Sequence, residues 1–256
     1  MLPMLNMRLV NPGVLISLER VKELNFIRDA GSHVSIGAMT THTQAAKNPL
    51  IERFCPLISA AIPYIGHVAI RNRGSIGGSL AHADPAAELP AVVAALDATL
   101  ILRGSSGERE LTGSDFFGGA FTTALDEDEL LVEIRVPKTV GVVGVAVLEL
   151  ARRRGDFALC GVAVQARLNQ DVIEDLKIGL IGVGSGPITP DVRELVGGQP
   201  STELFDEVGR IAASVSQPFD DVHATSDYRR RLTRVLARRA MSTAMGAAFD
   251  RGVQIV

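Results

Sequence analysis

The sequence predicts an α+β fold, with helices and short strands in its first half and three strands followed by helices in its second half. In residues 51–62, apolar residues recur at helical spacing, which predicts a helix side that faces a core. Residues 129–137 alternate between apolar and charged side chains, as is typical of a half-buried strand. After residue 142, three apolar segments of strand length follow one another, and a turn at 169–171 would join the last two as a hairpin.

The elements of the first half are bounded by capping and turn residues. Thr40 or Thr41 is expected to cap a helix that ends at Ala46, and Pro49 to start the next helical segment. The predicted elements are strands at 14–18 and 34–38, helical segments to 46 and over 49–62, a helix at 86–96, a strand at 98–103, a hairpin turn at 104–107 and a strand at 129–137.

A boundary between two domains is predicted near residues 138–144, where Lys138 leads into a stretch rich in Gly and Val. The predicted domains are residues 1–138 and 142–247. The second should hold strands at 142–151, 158–168 and 176–183 and then helices at 190–196, 201–214 and 226–245. Because the chain carries a net charge of −3, the arginines of the last helix are interpreted as a solvated or subunit-facing surface rather than a nucleic-acid stripe.

The composition of the 256-residue chain excludes several classes of function. A hydrophobic content of 46% with 21% charged residues is that of a globular protein, and the net charge gives no reason to expect a nucleic-acid partner. No apolar run reaches the roughly 18 residues that a membrane span needs. Cys55 and Cys160 are expected to be buried free thiols in a reducing cytosol. A C-x-x-C pair, a Walker lysine and a G-x-S-x-G elbow are absent from the sequence.

Residues 70–90, IRNRGSIGGSLAHADPAAELP, say most about function. Segment 74–79 consists mainly of small residues and predicts a loop whose unshielded main-chain N–H groups bind an anion such as a pyrophosphate. A helix is then expected to begin at Asp84, with Pro85 in its first position, so that Asp84 and Glu88 share a face. The alternatives are a simple tight turn, or an unrelated nucleotide-binding module, which a helix beginning directly at the glycines would favour.

The same stretch resembles the second flavin-binding loop of the FAD subunits of molybdenum hydroxylases, the carbon monoxide dehydrogenase and xanthine dehydrogenase relatives. The residues that match its pattern are Ile70, Arg71, Asn72, Gly74, Ile76, Gly77, Gly78 and Ser79. Ser75 stands where Thr is usual, and Glu88 where Asp is usual. Residues 131–137 resemble the strand that closes the flavin domain, and residues 151–158, ARRRGDFA, resemble the signature R-x-G-D-F/Y-A. The resemblance covers nearly the whole chain.

This resemblance implies an FAD-binding domain of the PCMH (vanillyl-alcohol-oxidase-like) type, followed by a small domain with a three-stranded antiparallel sheet and helices. It implies that the backbone amides of one segment hold the FAD phosphates, namely those of Ser75, Ile76, Gly77, Gly78 and Ser79. Asp84 would cap the following helix beside the flavin, and Glu88 would bond a polar group of the cofactor. Leu131 and Phe157 would lie against the flavin ring, although Phe157 could instead be a plain core aromatic.

The function that the resemblance implies is electron transfer within a cytoplasmic oxidoreductase complex. Electrons would come from a molybdopterin large subunit through the clusters of an iron–sulfur small subunit, reach FAD in this chain and leave to an external acceptor. The flavin carries the redox chemistry, so no residue of this chain is predicted to be catalytic. The sequence identifies neither the substrate of the complex nor the acceptor.

One expected flavin contact is missing from the sequence. Relatives begin with a few dozen further residues that end in a loop of the form Ala-Gly-Gly-x-Ser-Leu-Leu/Ile-Pro, and Met1-Leu2-Pro3 align with its tail. Because that loop helps to hold the FAD pyrophosphate in the family, the 256-residue chain alone is expected to bind FAD weakly. An internal methionine of a longer natural chain is the favoured explanation. The alternative function is a flavin-deficient assembly or scaffold subunit of the same complex.

Overall fold

The computed structural model of the protein describes residues 5, 7–8, 10–153 and 155–253. Met1-Leu2-Pro3 and Arg154, which the resemblance includes, lie outside the described residues. Two large buried clusters organise the fold: one is formed mainly by elements before residue 138, called here the first unit, and the other by elements after residue 142, called the second unit.

The first unit is built on an antiparallel sheet with the strand order β1-β2-β7-β3-β4. Its strands are β1 (Ile27–Asp29), β2 (His33–Gly37), β3 (Thr99–Gly104), β4 (Gly107–Thr112) and β7 (Leu130–Pro137). A small separate hairpin is formed by β5 (Phe117–Gly119) and β6 (Thr122–Thr123). Alternation along the strands directs Ile36, Leu100 and Ile134 into one buried cluster, which confirms the half-buried strand predicted at 129–137.

Short helices complete the first unit, and most of them pack on the buried face of the sheet. They are α1 (His42–Ala46), α2 (Pro49–Phe54), α3 (Pro56–Ala61), α4 (Val68–Arg73), α5 (Ile76–His82), α6 (Glu88–Ala95) and α7 (Gly113–Phe116). Thr41 caps α1 through a capping box, as one of the two predicted residues. The apolar stripe at 51–62 is divided at Cys55, because Pro56 begins a new helix and its nitrogen cannot donate to the previous one.

The second unit is an antiparallel sheet of β8 (Val142–Ala151), β9 (Ala158–Asn169) and β10 (Val172–Ile181), in the order β10-β9-β8. The predicted hairpin at 169–171 is confirmed. Two helices, α8 (Thr202–Val215) and α9 (Ser226–Val253), cover one face of this sheet. The packing is close, since a Cβ at Gly144 of β8 would lie 1.7 Å from the carbonyl oxygen of Ala244 in α9. The other face meets the first unit, where Val147 and Ala163 join the first cluster.

Two predicted elements are wrong. Residues 14–18 form neither helix nor strand, and Val14, Leu15 and Ile16 are 77%, 58% and 83% exposed. The sheet order β1-β2-β7-β3-β4 does not include this apolar run, which has no strand partner among the described residues. The helix predicted at 190–196 is only a 3₁₀ turn at Arg193–Leu195. Within the described residues, no helix is both long enough and apolar enough to cross a membrane.

Candidate functional site

The glycine segment begins a helix rather than a loop. Ser75 is the N-cap of α5, and its Oγ accepts a hydrogen bond of 3.1 Å from the N–H of Gly78. The prediction that the next helix begins only at Asp84 is therefore wrong. Gly has a low helix propensity, but the contacts of α5 with the backbone of Thr40 and Ala38 outweigh that preference.

Four of the five predicted anion-binding amides are engaged within the chain, since those of Gly78 and Ser79 donate to the Oγ and the carbonyl oxygen of Ser75, both at 3.1 Å. The N–H of Ile76 donates to the carbonyl oxygen of Thr40, and that of Gly77 donates to the carbonyl oxygen of Ala38, both at 2.9 Å. Gly77 is buried, and a Cβ at this position would lie 2.4 Å from the Cβ of Ala38. The expectation that these amides are unshielded is wrong, because Gly77 serves a close contact between α5 and the chain after β2.

Gly78 differs from Gly77 because it is exposed, and a Cβ there would meet only the Oγ of Ser75, at 2.8 Å. Ser79, which follows it, is half-buried. The N-terminal end of a helix carries partial positive charge, which favours a nearby anion. The exposed part of the glycine segment is therefore the first turn of α5 at Gly78 and Ser79.

The residues before the glycines hold the segment in place. Arg71 donates from Nη1 to the carbonyl oxygens of Ile65 and Gly66, at 2.9 and 2.8 Å, and so fixes the turn before α4. The Oδ1 of Asn72 accepts a hydrogen bond of 2.7 Å from the Thr43 hydroxyl. The motif residues that match the flavin loop therefore include structural anchors as well as the exposed helix start.

His42 is a supporting residue that sequence reasoning missed. It is 3% exposed and lies against Gly74, where a Cβ would come within 3.0 Å of its Cδ2. Burial, with the charge of Arg71 second, lowers the pKa of His42 to about 4, so the ring is neutral at physiological pH. No metal-ligand or catalytic spacing marks it in the sequence, and its contact with Gly74 becomes visible only in the fold.

The signature segment, residues 151–157, connects β8 to β9, and its described residues contact the first unit through Gly155. Gly155 has a φ of +82° and packs so closely that a Cβ would lie 2.9 Å from His67 and 3.0 Å from the carbonyl oxygen of Gly66. This is the turn that Arg71 fixes ahead of the glycine segment. Phe157 is 67% exposed, so the alternative that it is a core aromatic is wrong.

Asp84 and Glu88 lie in a connection that is also tied to the second unit. The N–H of Gly182 donates to the carbonyl oxygen of Pro85, at 2.8 Å. Asp84 does not cap a helix: its Oδ1 accepts from the N–H of Ala86 at 2.9 Å, and α6 begins at Glu88. The prediction that the two carboxylates share a helix face is therefore wrong. Glu88 is 8% exposed, and burial, with the charge of Asp84 adding to it, raises its pKa to about 7.

Leu131 lies on β7 close to the glycine segment. The N–H of Ala38 donates to the carbonyl oxygen of Val132, and the carbonyl oxygen of Ala38 accepts from Gly77, so β7 is two hydrogen bonds away from α5. The Leu131 side chain is 6% exposed and belongs to the first core, whereas its neighbour Leu130 is 44% exposed. A ligand at this edge would contact Leu131 only through a small part of its surface.

Segments from both units meet at one junction. The glycine helix, the signature segment and the connection before α6 are linked through Gly155 and Pro85, while the described residues contain no group of acidic, His and Cys side chains that could hold a metal ion. Such a junction can bind an extended ligand by the partial positive charge at the start of α5 and by an exposed aromatic ring, and it offers no metal chemistry of its own among those residues.

Comparisons with known proteins agree with the motifs. The family described as FAD binding domain in molybdopterin dehydrogenase matches residues 1–139, and the family described as CO dehydrogenase flavoprotein C-terminal domain matches residues 146–244. The chain is 35% identical to the glyceraldehyde dehydrogenase medium chain of Sulfolobus acidocaldarius, over 94% of this chain and 86% of that protein. It is 33% identical to the carbon monoxide dehydrogenase medium chain of Hydrogenophaga pseudoflava, over 95% and 86%.

A solved structure has the same fold. The chain superimposes on a carbon monoxide dehydrogenase from Hydrogenophaga pseudoflava, which lacks the Mo-pyranopterin moiety of its molybdenum cofactor, with a TM-score of 0.93 and 33% identity. The match covers 96% of this chain and 86% of that one. The likeness therefore extends through both units and their junction.

Proposed function

Because the chain belongs to the family of FAD-binding subunits of molybdopterin dehydrogenases, we propose that it holds FAD at the junction of its two units and passes electrons through it to an external acceptor. The observation that carries this proposal is the contact of Gly155 with His67 and Gly66, since it sets the exposed Phe157 segment beside the turn that leads to the glycine helix. FAD supplies the redox chemistry when it is bound, and the protein supplies binding and orientation.

The residues at the junction fit such a cofactor. Gly78 is exposed at the start of α5 and leaves open a space that a Cβ would enter, so the chain can approach a phosphate there. We propose Ser75, Gly78 and Ser79 as the phosphate-facing part, with Ile76 and Gly77 holding the helix in position through their bonds to Thr40 and Ala38.

The remaining proposed contacts with the cofactor come from residues of both units. Phe157 presents an exposed aromatic ring, which suits contact with a flat conjugated ring system. Glu88 and Asp84 offer carboxyl groups to polar groups of the cofactor, and Leu131 offers its small exposed edge. Electron transfer through FAD does not by itself require any of these residues to act as a proton-transfer catalyst.

The protein is a subunit of a multi-subunit dehydrogenase complex, as are the relatives called medium chains. We propose that its partners are an iron–sulfur small subunit and a molybdopterin large subunit, which the molybdenum cofactor named for the solved relative supports. We propose that the substrate is set by a partner rather than by this chain, which is supported by the different dehydrogenases named for the two medium chains above. We assign the complex to the cytoplasm, which the two free cysteines, Cys55 and Cys160, support.

The two proposed domains, residues 1–138 and 142–247, are supported by the two separate buried clusters. We propose that the first supplies the phosphate site and the second the aromatic segment. Each domain would then contribute one half of the cofactor site, so that FAD would stabilise their contact.

Isolation of the complex tests this function. The chain is produced together with its two partner subunits, and the FAD content and the flavin absorbance of the purified complex are measured against a preparation that lacks this chain. We expect a yellow complex with one FAD for each copy of the chain, whose flavin absorbance bleaches when substrate is added without acceptor. A stable complex that contains this chain but no flavin would contradict the proposal and support the scaffold role instead.

A further inference from the structure

A second buried carboxyl group lies at the junction, and the electron-transfer role does not use it. Glu149 is on β8, and its Oε2 is fully buried without a hydrogen-bond partner among the described residues. An ionised carboxylate oxygen in that position is costly, because neither water nor a donor compensates its charge. Such an atom is stable when the carboxyl group holds a proton.

Strand alternation shows which way Glu149 points. Val145 and Val147, four and two residues earlier on β8, pack against the first cluster, so Glu149 lies on the same face of the sheet, toward the first unit. Its register partner on β9 is Gly161, where a Cβ would lie 3.6 Å from the Cγ of Glu149.

The first unit presents Glu88 to the same face. Ile181, the register partner of Gly161 on β10, packs with Ala91 of α6. Ala91 is one helical turn after Glu88, so both lie on the side of α6 that faces the sheet. Glu88 and Glu149 therefore face one another across the junction of the two units.

The titratable and charged groups around Glu149 come from every element packed against it. They are Glu88 and Asp84 from the first unit, Tyr64 from the 3₁₀ turn after α3, Cys160 on β9, and Arg239 on α9. Burial, with the charge of Glu88 second, raises the pKa of Glu149 to about 8. Burial also raises the pKa of Glu88 to about 7. Arg239 is exposed and forms no ion pair with either carboxyl group among the described contacts.

A cavity lies beside Glu149, although the Oε2 atom is itself buried. This cavity of about 430 Å³ is lined by Glu149 together with polar groups of α9 and the 3₁₀ turn, namely Tyr64, Arg239, Ser242 and Thr243. Because β8 is the edge strand of its sheet, this cavity lies at the rim of the junction. Glu149 thus stands between a water-accessible cavity and Glu88.

We propose that Glu149 and Glu88 form a proton-holding carboxyl pair that conducts a proton from the cavity to the cofactor site. The proposal rests on the proposed function, since Glu88 is the member assigned to the flavin site. Flavin reduction by two electrons takes up protons, which is the chemistry that FAD supplies when it is bound. The Glu88 carboxyl group releases its proton toward the cofactor, the proton of Glu149 passes to the resulting Glu88 carboxylate, and a hydronium ion from the water of the cavity reprotonates Glu149. The carboxyl groups carry no electrons, and Glu149 acts only through Glu88.

The first test uses the chain without FAD, so that it remains readable if the proposed function fails. Infrared spectra of the unaltered chain, Glu149→Gln and Glu174→Gln are compared from pH 4.5, the ordinary pKa of a glutamate, to above the pKa of about 8 that Glu149 has in the folded chain. Glu174 is an exposed glutamate on β10 of the same sheet and serves as the matched control. We expect a protonated-carboxyl band that persists at neutral pH in the unaltered chain and in Glu174→Gln, and that is lost or diminished in Glu149→Gln.

The stability of the same chains gives an independent measure. Because the folded protein holds these protons more tightly than the unfolded chain, the pair stabilises the fold at low pH and this stabilisation is lost as the pH rises from 4.5 to about 8. The fall in unfolding temperature over this interval should shrink by about half in Glu149→Gln, because one of two such groups is removed. It should be unchanged in Glu174→Gln. A fall of equal size in all three chains would overturn the proposal.

Proton uptake tests the conducting role itself. When the FAD-loaded chain is reduced chemically, uptake followed with a pH indicator should slow about tenfold or more in Glu149→Gln, should recover in part in Glu149→Asp, and should be unaffected in Glu174→Gln. Uptake at an unaltered rate in Glu149→Gln would overturn the relay. If Glu149→Gln does not fold, the infrared titration of the unaltered chain decides: a protonated band at neutral pH supports the pair, and its absence overturns it.

Discussion

The glycine segment, residues 74–79, and the signature segment, residues 151–157, meet at the same junction but are built in opposite ways. In the glycine segment, Ile76 and Gly77 are buried and their amides are bonded to the backbone around Ala38. In the signature segment, Phe157 is 67% exposed, and only Gly155 is pressed against the first unit. The difference shows that most residues of a motif shared with flavoproteins can be structural. Only its exposed residues are then available to contact the ligand.

Substitutions in the two segments should therefore have different effects on the free energy of unfolding and on FAD binding. In the glycine segment most changes should lower the free energy of unfolding, and FAD would be lost with the fold. In the signature segment a change at Phe157 should weaken FAD binding and leave unfolding almost unaffected.

The largest effect is expected for Gly77→Val. A Cβ at this position would lie 2.4 Å from the Cβ and 2.8 Å from the backbone of Ala38, so α5 must move away from the chain after β2. We expect the free energy of unfolding to fall by about 3 kcal/mol or more, measured by urea unfolding of the chain without FAD. Gly246→Val is the matched control, because Gly246 is an exposed helical glycine with no atom near its Cβ position. Equal stability of the two variants would show that the close contact does not hold the segment.

An intermediate effect is expected for Arg71→Ala. This change removes two hydrogen bonds to the carbonyl oxygens of Ile65 and Gly66 and so loosens the turn against which Gly155 packs. We expect a loss of about 2 kcal/mol in the free energy of unfolding. Arg73→Ala, at an exposed arginine of the same helix, should change it by less than about 0.5 kcal/mol. A similar change in the free energy of unfolding for both variants would show that Arg71 does not anchor the turn.

The smallest effect on folding is expected for Phe157→Ala. Since the ring is mostly exposed, the unfolding free energy of the chain without FAD should change by less than about 0.5 kcal/mol. The FAD dissociation constant should rise about tenfold, equivalent to about 1.4 kcal/mol, as measured by quenching of flavin fluorescence. Phe249→Ala, at another exposed phenylalanine, should leave FAD affinity unchanged. If Phe157→Ala lost stability but kept its affinity for FAD, the signature segment would be structural rather than a contact for the ligand.

The second unit was the more predictable half. β8 and β9 begin at the predicted residues, because long apolar alternation and a turn at 169–171 leave little choice of pairing. In the first unit, residues 14–18 have an apolar pattern but no strand partner, and pairing is a tertiary property that local sequence does not contain. The helix at Ile76 was missed for a related reason, since it depends on contacts with Ala38 and Thr40 that lie far away in the sequence.

The motifs of the site could be predicted from the sequence, but the residues that hold those motifs in place could not. Phe157 and Gly78 are exposed at the junction, in keeping with their predicted contacts, which remain a prediction. Asp84 was misassigned as a helix cap because an Asp-Pro pair is typical of helix starts, whereas here it forms a turn that Gly182 binds. Glu149 and His42 carry no motif, and only the fold shows that one faces Glu88 and the other supports Gly74.

The most direct test of the central claim, that the exposed start of α5 binds the FAD phosphates, is calorimetric titration of FAD into three chains. These are the unaltered chain, Gly78→Val and Gly246→Val, both of which replace an exposed helical glycine. We predict that Gly78→Val raises the FAD dissociation constant about tenfold or more while Gly246→Val matches the unaltered chain. An unchanged dissociation constant for correctly folded Gly78→Val would contradict the account.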